Sequence, residues 1–282
     1  MPRRTSILKT AAIYIGILIF VAFFFFPILW MIVTSIKLPR DMFSLGVLPF
    51  IQFEPTLKHW HSELVTVGAE NRHALINSTI IGLSSATIST VLGILAGYAL
   101  ARYEFKKWKN IDIITWFLSL RFLPAISVAI PFYILVKTAG LLDTHIAVII
   151  LHSAFFLPYS VLVLRDAFKS LPREIEEAAM VDGASPSTIL WRIAVPLIAP
   201  AIVAVFILLF SFSWNEFLFA FLLTSKVAVT MPVHIAGSVT TIGVLFYTLS
   251  VRQLLAIIPP VILALFIQRY IVSGLTLGAI KG

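Results

Sequence analysis

The sequence contains no cysteine and little charge. Without Cys there is no disulfide, no thiol nucleophile and no Cys-ligated zinc or iron–sulfur cluster. Charged residues make up 12% of the 282 positions, against roughly 25% in a typical soluble chain. A Gly-x-x-x-x-Gly-Lys-Ser/Thr loop is also missing, so the chain has no P-loop to cradle ATP phosphates. The six His are scattered, with no metal-ligand or paired acid–base spacing. What is abundant is apolar: 60% of residues are hydrophobic and 23 are Phe. Mean hydropathy is +1.01. A soluble protein of this size has too small an interior to hide so much apolar surface. A soluble enzyme is excluded, and an integral membrane protein is expected.

A helix needs about 20 apolar residues to cross the hydrocarbon core. Six segments qualify: 11–36, 74–101, 113–136, 145–164, 194–223 and 252–272. The third carries Arg121 and the fifth Glu216. The sixth is built on a 14-residue run, 254–267, flanked by Arg252, Gln253, Gln268 and Arg269. Such long side chains snorkel to the interface. Segment 227–251 carries no Asp, Glu, Lys or Arg, but Thr, Ser, Gly, His234 and Pro232 dilute it. It reads as re-entrant or surface rather than as a seventh span. Arg3, Arg4 and Lys9 precede an apolar run too long for a signal peptide, so the first helix reads as uncleaved.

Six spans put both ends on one side. With the N-terminus inside, the inner loops and ends hold 13 Lys and Arg and the outer loops hold 7. That bias predicts an N-in, C-in topology. The expected fold is an all-α membrane protein with six transmembrane helices, a single domain over 1–282, a cytoplasmic loop at 165–193 and outer loops at 37–73 and 224–251.

The cytoplasmic loop holds the densest charge. Ser170-Leu171-Pro172 reads as a helix start, since Pro is tolerated in a first turn. Glu174, Glu176 and Glu177 then sit near the positive end of the helix dipole. Gly183 stops that helix, and Ser185-Pro186 caps a second. The result is a helix–turn–helix on the cytoplasmic face, with small and acidic residues that let another protein approach.

The spacing carries more. Glu177-Ala178-Ala179, three residues, Gly183, nine residues, then Ile193-Ala194-Val195-Pro196 resembles the EAA motif of ABC importer permeases, with Val195 in place of Leu. The chain is most similar to carbohydrate-importer permeases of the MalG type. Asn77-Ser78, Tyr98-Ala99-Leu100-Ala101-Arg102, Trp214-Asn215-Glu216-Phe217 and the stretch from Gly274 to Gly282 match that group. The resemblance implies the type I importer permease fold, with Glu177, Ala178, Ala179, Asp182 and Gly183 forming a coupling helix that docks on an ATPase. It implies a tail, with Gly278, Lys281 and Gly282, reaching between two cytoplasmic ATPase subunits. It further implies a homologous permease as heterodimer partner, an extracytoplasmic solute-binding protein, and ATP and Mg on the ATPase rather than on this chain. It implies as setting the plasma (inner) membrane of a prokaryote, with no nucleic acid as partner.

Charge at the bilayer centre costs about 2.5–3.5 kcal/mol on insertion scales. Arg121 and Glu216 therefore need reasons: they line the substrate pathway, or they fix helix packing. For Arg121, carbonyls freed near Pro124 are candidate partners. Asn77, Tyr133, Trp214 and Asn215 suit sugar hydroxyls and sugar ring faces, and His152 lies mid-span. Gly93-x-x-x-Gly97 with Ser89 makes a small-residue stripe for close helix packing. His59-Trp60-His61 does not converge on one helix face and reads as surface or a docking contact. The substrate expected is a sugar or related polyol. A glycerol-phosphate-type anion is the alternative, since Arg121 would suit it. A stand-alone secondary transporter would need inverted repeats or a coupling charge network, and neither is visible.

Overall fold

Proline and glycine set where the helices of this chain bend and stop. A computed structural model describes residues 7–240 and 243–278. Helix α1 is Ile7–Ser35, α2 Gly68–Arg102, α3 Asn110–Leu120, α4 Ala125–Thr138 and α5 His145–Lys169. After these come α6 (Arg173–Val181), α7 (Pro186–Leu197), α8 (Ala199–Asn215) and α9 (Leu218–Leu223). The chain then runs through α10 (Met231–Ala236) and two two-residue antiparallel strands, Val239–Thr240 and Gly243–Val244, into α11 (Phe246–Gly278).

Among the described residues four helices are long and apolar enough to cross a membrane, and up to six crossings result when each of two bent pairs counts as one. The expected third span is not one helix: α3 and α4 meet at 91°. Pro124 explains the break, because a residue before proline is pushed out of the helical region. The expected fifth span is broken as well. α7 and α8 meet at 78° at Ile198, between Pro196 and Pro200. A second break comes at Glu216, whose backbone is extended (φ −70°, ψ 125°). The sixth helix starts at Phe246, six positions before the expected 252, and α2 starts inside the expected outer loop.

Contacts gather the chain into two compact units, one of the residues up to Asn71 with Ile235–Ile257, the other of Arg72–His234 with the residues from Ile258 onward. In the first unit α1 exposes its apolar middle, with Leu18, Phe23 and Phe24 all open. Its C-terminal end is held by a fully buried cation. Lys37 Nζ donates to Ser44 O at 2.7 Å and stands over the rings of Trp30 (4.8 Å) and Phe53 (5.3 Å). Burial pushes the Lys37 ammonium below its ordinary value, against the pull of Asp41. His59 donates to Lys37 O at 3.0 Å and stacks on Tyr247, and Trp60 Nε1 donates to Ser35 Oγ at 3.1 Å. The His59–Trp60 pair therefore closes this unit. Arg252 and Glu63 form a buried pair at 2.8 Å, with Asn71 donating to the same carboxylate.

In the second unit α2 lies directly on α5. A Cβ on Gly93 would overlap Ser160 Oγ, and one on Gly97 would come within 2.8 Å of the Arg165 amide. Ser89 Oγ donates to Ser153 O at 3.0 Å. The small-residue stripe is an intrachain seam. Lipid tails are as apolar as Leu, so close van der Waals fit rather than the hydrophobic effect holds such helices together. One core cluster joins Tyr98, Phe168, Leu190 and Trp214. A second joins Ile81, Val148, Leu151 and Phe219.

Candidate functional site

Helix α6 has two unlike sides. Pro172 starts it and Gly183 ends it with φ +81°. The Gly183 amide donates to Met180 O (3.0 Å) and the Ala184 amide to Ala179 O (2.9 Å). This is a Schellman stop, and the left-handed residue it needs is most easily Gly. Ser185 caps the next helix, accepting from the Thr188 amide at 3.3 Å, as its sequence position predicts.

The inner side of α6 is fastened by one carboxylate. Glu176 is buried and receives Tyr98 OH at 3.0 Å and Arg102 Nη2 at 2.8 Å. Arg102 also donates to Leu171 O at 3.3 Å. Both partners close α2, so the end of that span is tied to α6. Sequence alone placed Glu176 with its neighbours at the helix start and gave it no partner. The outer side holds Glu177, Ala178, Asp182 and Gly183, all exposed, with Ala179 half-buried. Val181 is 88% exposed and Met180 53%. Exposed apolar side chains beside exposed carboxylates make a surface suited to protein docking.

A second constellation lies within the spans. Glu216 sits at the break after α8 and accepts from the amides of Phe219 (2.9 Å) and Ala220 (3.2 Å), capping α9. His152, fully buried on α5, donates from Nε2 to Glu216 at 3.0 Å. Its Nδ1 lies 2.7 Å from Ser213 Oγ. His152 and Glu216 thus answer each other, a pairing invisible when each is read alone. Arg121 is exposed at the end of α3 with its guanidinium 4.4 Å from the Tyr159 ring centre. The carbonyls freed near Pro124 do not engage its side chain. A cation on an aromatic face does instead.

Other candidates are placed differently from expectation. The amide of Asn77 is engaged within the chain. Its Nδ2 donates to Val227 O and Val229 O, both at 2.9 Å, and His145 donates to its Oδ1 at 2.7 Å. Trp214 is buried against Phe210, with no open face. Tyr133 is half-buried in the second core cluster, and Asn215 is exposed, its Nδ2 donating to Ser211 O at 2.8 Å. Gly278 ends α11, and Lys281 and Gly282 lie outside the described residues.

Asp143, missed by sequence reasoning, fastens the segment after α9. It occupies the left-handed region (φ 57°), and its carboxylate accepts from the amides of Ser225, Lys226, Val227 and Ala228. Burial pushes this carboxyl up, but the four amides outweigh it and hold it well below the usual carboxylate range. The only local signal was an Asp between α4 and α5, a residue type that tolerates positive φ.

Residues 89–277 match the family of binding-protein-dependent transport system inner membrane components. The chain belongs to this family. The permease is 36% identical to the trehalose/maltose transport system permease protein MalG of Thermococcus litoralis over 282 residues, 99% of each chain. It is 35% identical to the trehalose transport system permease protein SugB of Mycobacterium tuberculosis, over 91% of this chain and 92% of that one. Its fold is that of a solved bacterial ABC transporter involved in import of the acidic polysaccharide alginate, at TM-score 0.71 and 19% identity over 96% of this chain and 99% of the other. The permease is therefore a multi-pass inner-membrane subunit of an ABC importer.

Proposed function

We propose that the permease pairs with a homologous permease to form the pathway for a sugar or related polyol. An extracytoplasmic binding protein delivers the solute, and two ATPase subunits holding ATP and Mg supply the energy from the cytoplasm of a prokaryote. The observation that carries this reading is the two-sided α6. Its outer side offers Glu177, Ala178, Asp182, Gly183 and the open Val181 to the ATPase. Its inner side is bolted through Glu176 to Tyr98 and Arg102 at the end of α2.

Displacement of α6 by ATPase closure therefore moves the end of a span as one body. Two elements give the motion somewhere to act: the bends at Arg121–Pro124 and at Ile198. Alternating access follows when these broken spans rearrange between an outward and an inward cavity. The sugar class is supported by the relatives named for trehalose/maltose, trehalose, and melibiose/raffinose/stachyose transport.

The test is ATP hydrolysis by the reconstituted complex, with binding protein and candidate sugars added, for wild type and Gly183→Asp. Sugar-dependent stimulation is expected in wild type and absent in the variant. Full stimulation of the variant would remove the role given to Gly183. Solute uptake by the permease without any ATPase would overturn the reading.

A further inference from the structure

The ends of α2 and α5 and the starts of α3 and α6 line an open cavity of about 510 Å³ in the second unit. Five cations line it: Arg102, Lys109, Arg165, Lys169 and Arg173, against one lining carboxylate, Glu104. Two of the five are answered elsewhere, Arg102 by Glu176 at 2.8 Å and Arg165 by Asp166 at 2.7 Å. Lys109, Lys169 and Arg173 form no ion pair among the described residues. Arg165 Nε is buried and has no hydrogen-bond partner. The wall is preformed. Asn110 donates to Leu100 O (3.1 Å) and Tyr103 O (2.7 Å) and accepts from the Phe105 amide (3.1 Å), which fixes the loop between α2 and α3.

Three unanswered cations and a buried vacant donor around one concavity define an anion site. Its surroundings say which anion. Tyr103 and Trp108 beside it are exposed, and Tyr and Trp are the aromatics that sit at headgroup level. By the positive-inside count this end of the spans faces the cytoplasmic leaflet, which is rich in anionic lipid. We propose that the cavity binds the headgroup phosphate of an anionic phospholipid, with Lys109, Lys169, Arg173 and Arg165 Nε as donors. The leaflet assignment rests on the topology given above; binding itself does not.

The test uses the full chain in mild detergent, where sidedness plays no part, and native mass spectrometry with added phosphatidylglycerol. Wild type should retain one phosphatidylglycerol, with phosphatidylcholine not retained and millimolar inorganic phosphate not displacing it. At about 1 kcal/mol per Lys or Arg near a lipid surface, K109Q/K169Q/R173Q should bind at least about tenfold more weakly. The charge-keeping K109R/K169R/R173K should change binding less than about twofold, and the neighbouring K106Q/K107Q, which do not line the cavity, should weaken it less than the triple neutral variant does. If the triple neutral variant is not monodisperse, Lys169→Gln alone should still lower retention measurably. Equal retention by wild type and the neutral variants overturns the site. Displacement by phosphate makes it a free-anion site and overturns the lipid. Retention only when the ATPase is absent makes it a protein contact and overturns it equally.

Discussion

At the scale of single residues, Glu176 and Glu177 are neighbours with opposite duties. Removing one partner of a buried pair leaves an uncompensated charge, which costs about 3–5 kcal/mol. Glu176→Ala strands Arg102, whose side chain is 8% exposed, and should lower the unfolding temperature of the purified permease by several degrees. Glu177→Ala removes an exposed carboxylate and should leave that temperature within about a degree, since exposed changes move stability little. Its effect should show as weaker co-purification of the ATPase. A thermal melt and a pull-down on both variants check this, and equal melts would deny the strap. Asp143 gives a prediction in pH. Its native carboxyl lies below the ordinary value, so its contribution is fully present above about pH 4. It is lost as pH falls through the depressed native value. The melting difference between wild type and Asp143→Asn should therefore be largest near neutrality and shrink in acid. Sequence showed that Glu216 and His152 were out of place in a membrane. Their pairing was not legible, because it joins α5 to the break after α8 across 64 positions. The surroundings of Asn77 were hidden for a related reason. Its polarity was visible, but not the two carbonyls and the His145 ring that already fill it.

At the scale of elements, helix ends were the most legible feature. Pro172, Gly183 and Ser185 each do locally what their chemistry dictates, and the helix–turn–helix falls where those residues put it. Within the chain Gly183 has open space around its Cα, so there φ alone restricts it, and Gly183→Asp is expected to fail through the charge it sets against the ATPase rather than through φ. Asn visits the left-handed region far more readily than a β-branched residue. Gly183→Asn should retain most sugar-stimulated ATP hydrolysis, while Gly183→Val should lose most of it. The stripe on α2 was also legible as packing, though not which helix it met. Gly93→Leu should separate α2 from α5 and sharply reduce the yield of monodisperse protein. Normal yield and melting would mean the seam tolerates a gap. The bends were half legible. Pro124 marked one, but the break at Glu216 arises because the side chain caps the next helix, and no helix breaker stands there.

At the scale of the whole molecule, composition points to the medium and the Lys/Arg bias predicts the orientation. The absence of cysteine makes that orientation directly testable. Lys107→Cys and Asp182→Cys should react with an impermeant maleimide only from the cytoplasmic side. Glu54→Cys and Lys226→Cys should react only from the outside. The reverse pattern would invert every assignment of loops to partners. The division into two compact units was not legible, because helices α2 and α11 run unbroken through its boundaries and hydropathy sees only the helices.

The grip of Asp143 constrains something other than residue identity. Its carboxylate holds four consecutive backbone amides, 225 to 228, while its own amide donates to Leu223 O at 2.7 Å. Backbone amides are the same in every residue except proline. This segment therefore counts positions rather than reading them. Its side chains are free to drift, but an insertion or deletion of one residue between 223 and 228 shifts the amides past the carboxylate and opens the clasp. In libraries of variants, this segment of the permease should tolerate new letters and refuse new lengths.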